Sequence, residues 1–257
     1  MEKHLQKLVE YAEPKKTSFL CVSGNKSEIK TTYIPPLELP ISPNGYEMAL
    51  VSLETYYSFP NINATNNHIL LSFDDGISWT DVYLPIGCYE IHTINSELQK
   101  LIMSQTHDDK PEKRLVLSAD TITLHSVLEI VDKKCKINFN VDNSLQSVLG
   151  FDKKIYAYGQ RHESENIVNI INVNTILVHC DIIESSRLNG IEAPIIHTFF
   201  PNAVPGEKVV YHAKHLIYIP LTSDIISHMS CWITDQSGKP LDLKGEEITI
   251  TFYIKAK

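Results

Sequence analysis

The C-terminal stretch of this 257-residue chain constrains its fold more than any other feature. Ile248, Ile250, Phe252 and Ile254 fall on one side of an extended segment, and Thr249, Thr251, Tyr253 and Lys255 on the other. A period of two is what a strand with one buried and one solvated face requires, and such strands belong to antiparallel sheets. Apolar and β-branched runs of similar length recur upstream, separated by Gly, Pro, Asn and Asp clusters. Extended segments are expected over 48–57, 68–73, 79–84, 114–118, 121–131, 135–140, 173–184, 194–200, 207–211, 215–221, 226–234 and 247–254. Asp74-Asp75-Gly76 and Asp235-Gln236-Ser237-Gly238 supply the positive φ of tight hairpins, and Asn189-Gly190 does the same.

Helical signals are few. Thr93–Glu97 offers caps ahead of an apolar stripe at Leu98, Leu101 and Ile102. Asn143-Ser144 precedes a turn or two that Gly150 stops. Leu5, Leu8 and Val9 share one side of a possible amphipathic helix. Five prolines then follow (Pro14, Pro35, Pro36, Pro40 and Pro43), a density that no regular helix or central strand tolerates. Residues 1–45 therefore read as a proline-rich, partly extended arm, and residues 46–257 as one folded body. Polar 154–166 is the only linker-like stretch within that body. About a dozen short strands point to an all-β sandwich or barrel.

Charge and cysteine usage exclude several function classes. Asp and Glu total 31 against 23 Lys and Arg, a net charge of −8. Affinity for phosphate backbones comes mainly from Lys and Arg, so no direct nucleic-acid binding is expected. The first sixteen residues carry charges throughout and no apolar h-region, and no run approaches a membrane span. Five scattered cysteines without a C-x-x-C suit reduced thiols inside a cell.

No catalytic constellation emerges. Gly24-Asn25-Lys26-Ser27 lacks the Gly-Lys step of a phosphate loop. His212 and His215 stand three apart, which on a strand sends them to opposite faces. His179-Cys180-Asp181 likewise alternates faces and cannot form a triad, and Cys180 sits in an apolar run typical of a buried thiol. The acid pairs Asp74-Asp75, Asp108-Asp109 and Glu246-Glu247 lie in hydrophilic, turn-like settings. No enzyme activity, metal or cofactor is expected.

Two stretches nevertheless suggest a family. One is His179-Cys180-Asp181-Ile182-Ile183-Glu184-Ser185-Ser186, then Asn189-Gly190, Ile196–Thr198 and Phe199-Phe200-Pro201. The other runs from Trp232-Ile233-Thr234-Asp235-Gln236-Ser237-Gly238-Lys239-Pro240 through Leu241-Asp242-Leu243 to Gly245-Glu246-Glu247-Ile248-Thr249-Ile250. Together they resemble the minor capsid (penton) protein of Polinton/Maverick elements and adintoviruses. The resemblance is densest over 172–257, thinner over 46–150 and absent from the arm.

It implies a single jelly roll of two four-stranded antiparallel sheets, BIDG and CHEF, assembling as a homopentamer at the five-fold vertices of an icosahedral virion. The neighbours would be trimers of a double jelly-roll major capsid protein. Leu5, Leu8 and Val9 would then be partner-binding residues that order on that neighbour. The tight hairpins do not belong to an eight-stranded roll, so extra hairpins beyond the core strands are expected. In the turn after Trp232, Gly238 should adopt the left-handed conformation. Leu241 and Leu243 should resume alternation with Asp242 outside, and Gly245 should mark a bend. A cellular β-sandwich module that binds a glycan or peptide through Tyr56, Tyr57 and Trp79 accounts for the same strand pattern.

Overall fold

In the computed structural model the described residues are 17–257, apart from 107–109, 111, 113, 172 and 185. The chain divides into two compact units, one formed by the two ends of the chain and the other by Ser58–Asn172.

The terminal unit begins with β1 (Thr17–Gly24), β2 (Glu28–Glu38) and β3 (Tyr46–Tyr56). The chain then enters the inserted unit, which holds β4 (His68–Ser72), β5 (Thr80–Tyr83), α1 (Ile91–Thr106), β6 (Leu115–Ala119) and β7 (His125–Ile130). It continues there with β8 (Lys136–Asn138), α2 (Gln146–Leu149), β9 (Ile155–Ala157) and β10 (Arg161–Ile167). On returning, the terminal unit gains β11 (Ile176–Cys180), β12 (Ser186–Leu188), β13 (Ile191–Ala193), β14 (Ile195–Phe199) and β15 (Lys208–His212). It ends with β16 (Ile219–Pro220), β17 (Ile225–Thr234) and β18 (Ile248–Ala256).

Two sheets make up the terminal unit, in the orders β1-β18-β3-β15 and β14-β11-β17-β2. Lettering β1, β2, β3, β11, β14, β15, β17 and β18 as B to I turns these orders into BIDG and FEHC. That is the jelly-roll arrangement, with every pairing antiparallel. The β12–β13 hairpin and β16, which adds to β3, are the excursions beyond the eight. Ile248, Ile250, Phe252 and Ile254 are all buried, as their alternation requires. They face inward with Leu20 and Val22 of β1 and Met48, Leu50 and Leu53 of β3.

The stretch expected to be an arm contributes β1 and β2 from residue 17 onward, and Leu5, Leu8 and Val9 lie outside the described residues. The prolines do not prevent this, because β2 is an edge strand bonded only to β17. Pro35 and Pro36 fall where the β2–β17 register breaks, between the Leu37↔Ile226 and Thr32↔His228 pairs. A proline lacks the N–H a ladder needs, and an edge or bulge is where that loss costs least. The single body expected over 46–257 is likewise divided. The breaks fall after Tyr57 and before Val173, not at 154–166, which carries β9 and β10.

The inserted unit has a β5-β4-β8-β9 sheet, a β10-β7-β6 sheet and helix α1. Ile94, Leu98 and Ile102 of α1 join Ile69, Leu71, Leu117, Leu128, Phe139 and Phe151 in one apolar cluster. The expected stripe is present, but the helix starts earlier than its cap signal suggests. The Thr93 hydroxyl reaches back to accept the Glu90 N–H at 2.9 Å. Asn61 ties the start of the unit to its end. Its amide donates to the carbonyls of Tyr89 and Ile170 at 2.7 and 2.9 Å, and its oxygen accepts the Tyr89 N–H at 2.8 Å. Asp75 and Gly76 take positive φ as expected, although the loop between β4 and β5 is longer than a tight hairpin. Gly150 ends α2 at φ 81°, where a side chain would also run into the Asn166 carbonyl.

These features set two expected outcomes for chemical denaturation. Phe252→Ala should cost about 3–5 kcal/mol by emptying a closed core position, whereas Phe19→Ala on the outer face should cost under about 1 kcal/mol. Gly150→Ala should cost roughly 2 kcal/mol or more, since strain and collision act together.

Candidate functional surface

Strand geometry disperses the residues that looked chemical. Gly24–Ser27 is the corner between β1 and β2, and it leads into a strand where a phosphate loop needs a helix. His212 ends β15, and His215 stands exposed in the following segment. Among the described residues no group of three or more His, Cys, Asp or Glu side chains could hold a metal ion. Asp74 accepts hydrogen bonds from the Ser78 hydroxyl, the Ser78 N–H and the Ser72 hydroxyl, which hold its pKa down at about 2. It is a loop-fixing anion. Asp75 pairs with Lys136 at 2.9 Å. Asp108 and Asp109 lie outside the described residues.

The triad-like run separates as alternation demands. Cys180 points into the core opposite Cys231, while the Asp181 carboxylate accepts the Ser230 N–H at 2.8 Å. His179 faces the other way and is buried. Its ring stacks on Trp232, directly opposite on β17, with centroids 5.0 Å apart and planes 6° apart. The Thr234 hydroxyl donates to the Asp235 carbonyl, so it must accept from His179 Nε2–H, at 3.0 Å. That choice of tautomer leaves Nδ1 as a buried lone pair without a donor. Burial lowers the pKa of His179 to about 4, so the ring is neutral at pH 7.

Expected aromatic platforms fare unevenly. Tyr57 is buried, while Tyr56 is exposed and Trp79 half-buried. Sequence reasoning missed a denser polar cluster in the inserted unit, where Glu165 accepts from Lys154, the Tyr156 hydroxyl and the Asp152 N–H. Burial works to raise the Glu165 pKa, but these donors outweigh it and hold it at about 2. Lys154, Tyr156 and Glu165 all fall in the stretch that looked like a polar linker, and Asp152 adjoins it, so only their pairing was hidden.

What remains is surface, and exposed apolar side chains lie on both flanks of the sandwich as well as elsewhere on the molecule. On one flank, the short corner places β1 beside β2, which expose Phe19 (68%) and Ile34 (91%). On the other, β14 lies beside β15. Phe199 stacks on Tyr211 at 4.3 Å, and Tyr211 Oη meets His197 Nε2 at 2.6 Å. This flank exposes Phe200 (75%), Val204 and Val210. Between the flanks the outer face of the β1-β18-β3-β15 sheet mixes charged and aromatic side chains, with Tyr56 exposed and Tyr253 half-buried. It carries the Lys208–Glu54 and Lys255–Glu47 ion pairs at 2.5 and 3.1 Å, and Lys255 also caps the Tyr218 ring at 3.7 Å. The turn after β17 is built as expected: Gly238 has φ 86°, Leu241 and Leu243 are buried, and Asp242 is exposed.

No protein-family model matches the sequence, and no curated protein matches it. Among solved structures, the penton protein of mavirus is similar in fold, with a TM-score of 0.53 and 8% identity over 95% of this chain and 100% of that one. Two structures of the flagellar cap protein FliD from Escherichia coli also align. One has a TM-score of 0.24 and 11% identity over 85% of this chain and 100% of that one. The other has a TM-score of 0.24 and 10% identity over 86% and 59%. Scores that low carry no argument about fold. No described helix is long and apolar enough to cross a membrane.

The buried imidazole has a pH signature. Its native pKa lies below that of the unfolded chain, so its contribution to stability is complete above about pH 6.5 and is lost as pH falls towards 4. His179→Phe keeps the stack and removes the orphaned nitrogen. Unfolding free energies from denaturant titrations should change by less than about 1 kcal/mol at pH 7.5 and should fall less steeply between pH 6.5 and 4 than those of the parent protein.

Proposed function

We propose that this chain is a structural minor capsid protein, a penton, whose five copies close a ring at each five-fold vertex of an icosahedral particle. The observation that carries the reading is the strand order of the terminal unit, BIDG against CHEF, together with its likeness in fold to the mavirus penton protein. The capsid neighbours in this reading are trimers of a double jelly-roll major capsid protein, as in Polinton and adintovirus particles. The chain's place is the virion vertex, reached after assembly inside the host cell. Its work is mechanical, with no reaction and no cofactor.

A ring of identical copies needs a head-to-tail contact, in which two different surfaces of one molecule fit each other. The two apolar flanks meet that need: Phe19 and Ile34 of one copy would lie against Phe200, Val204 and Val210 of the next. Each contact must remove on the order of 1,600 Å² from water to hold without covalent bonds. Leu5, Leu8 and Val9, ahead of β1, would dock on the major capsid protein by an apolar stripe.

Native mass spectrometry and negative-stain microscopy test the ring. The 29.2 kDa chain should run at about 146 kDa and show five-fold rings, alone or once the major capsid protein is added. Phe19→Lys and Phe200→Lys should each abolish the ring while leaving the far-UV spectrum unchanged. A stable dimer or trimer under all conditions would overturn the penton reading. Rings that survive both charged variants would overturn the flank contact alone.

A further inference from the structure

The two central strands of the CHEF sheet carry a pair of thiols that the capsid role does not use. Cys180 of β11 and Cys231 of β17 are register partners, both fully buried in the sandwich interior. The Cys180 N–H bonds to the Pro194 carbonyl on the other side of its strand, while the Asp181 N–H bonds to the Ser230 carbonyl. Cys180 and Cys231 therefore form a non-hydrogen-bonded antiparallel pair, the arrangement in which opposed Cα atoms approach to about 4.5 Å and side chains lie closest. That spacing falls inside the range a disulfide spans. The Cys231 thiol donates to the Cys180 sulfur with the two sulfurs 3.5 Å apart. Neither sulfur is covalently bonded to another.

We propose that Cys180 and Cys231 are a latent cross-strand staple, open in a reducing cell and closed by a small hydroperoxide when the protein leaves it. In the first step the Cys180 sulfur attacks one oxygen of hydrogen peroxide. The O–O bond breaks, the sulfur becomes a sulfenic acid, and a water molecule leaves with the thiol proton. In the second step the Cys231 sulfur displaces the hydroxyl of that sulfenic acid. The S–S bond forms, and the Cys231 proton leaves with the hydroxyl as a second water. Two thiols are oxidised, one peroxide is reduced, and no other reactant is consumed.

The register makes closure local. The sulfurs must approach each other by about 1.5 Å to reach disulfide length, and the strands are already paired on both sides of them. The same burial makes it slow. The hydrogen bond to Cys180 and the loss of solvent both raise the pKa of Cys231, keeping it protonated and closing the site to bulky disulfide oxidants. A staple across β11 and β17 would bind the two central strands of one sheet, which lie far apart in the chain, and so constrain the unfolded state. The chemistry stands on this geometry alone. Its use, hardening a vertex outside the cell, rests on the capsid reading.

The test uses the isolated full-length chain, so its outcome is independent of whether rings form. The folded protein is incubated with hydrogen peroxide, quenched, unfolded in an alkylating agent and mapped by peptide mass spectrometry. The expected product is a peptide pair joined through Cys180 and Cys231, lighter by two hydrogen atoms and separated by a phosphine reductant. Its melting temperature should rise by about 5 °C or more relative to the reduced protein. Cys231→Ser should form no such pair, and the wild-type map decides the matter if that variant does not fold. The proposal is overturned if both cysteines remain alkylatable while exposed Cys21 is oxidised. It is also overturned if either residue of the pair ends as a sulfinic or sulfonic acid without a linked product.

Discussion

The terminal unit depends on one strand having two partners from the far end of the chain. β18, the last strand, pairs along its length with β1 on one edge and with β3 on the other. Its four inward residues, Ile248, Ile250, Phe252 and Ile254, are the apolar seam of that sheet. Without β18 the sheet would consist of β1 alone and of β3 with β15 and the two-residue β16, too little to bury an inner face. The closure is non-local, so its entropy must be met before the core can reward it. That closure also fixes how an inserted unit can be accommodated: Ser58–Asn172 leaves the chain after β3 and rejoins it before β11 without interrupting either sheet.

The opposite sheet shows how strongly the alternation rule disposes of chemistry. On β11, His179 and Cys180 are sequence neighbours with nothing in common spatially. One is stacked on Trp232 and the other touches Cys231. Both partners come from β17, two residues of the same strand on opposite faces of the same sheet. A buried neutral histidine with an orphaned nitrogen and a buried thiol pair are each costly or reactive in principle. In this fold both are held by packing, with His179, Cys180 and Cys231 all buried.

Much of this architecture was legible in the sequence, though unevenly. The long alternating runs that became β3, β17 and β18 announced themselves, because one face of each is buried and the other is not. The Asp235–Gly238 turn was equally clear, since Gly238 does need positive φ. β2 was hidden by its prolines, and β1, which has none, was taken into the same arm. The rule that prolines exclude central strands was sound, but β2 is an edge strand whose register breaks beside Pro35 and Pro36. The boundary of the inserted unit was hidden as well. Both units are built of short strands with similar composition, and no change in local chemistry marks Tyr57 or Val173. The residues that now define the candidate surface, Phe19, Ile34 and Phe200, were not marked as surface by the sequence, for an exposed apolar side chain looks like a core one until its strand is placed.

By itself the sequence determined the class of structure: side chains of period two, broken by Gly and Asp at positions that require left-handed backbone, commit the chain to antiparallel sheets. It also determined that neighbouring polar residues on a strand cannot cooperate, because they point to opposite faces. Only the tertiary structure decided which strands are neighbours, and so that Cys180 meets Cys231, that His179 meets Trp232, and that the two ends of the chain share one sheet. Those outcomes depend on register between segments far apart in the chain, and register is set by the summed burial of whole strand faces, a quantity that no local stretch of sequence contains.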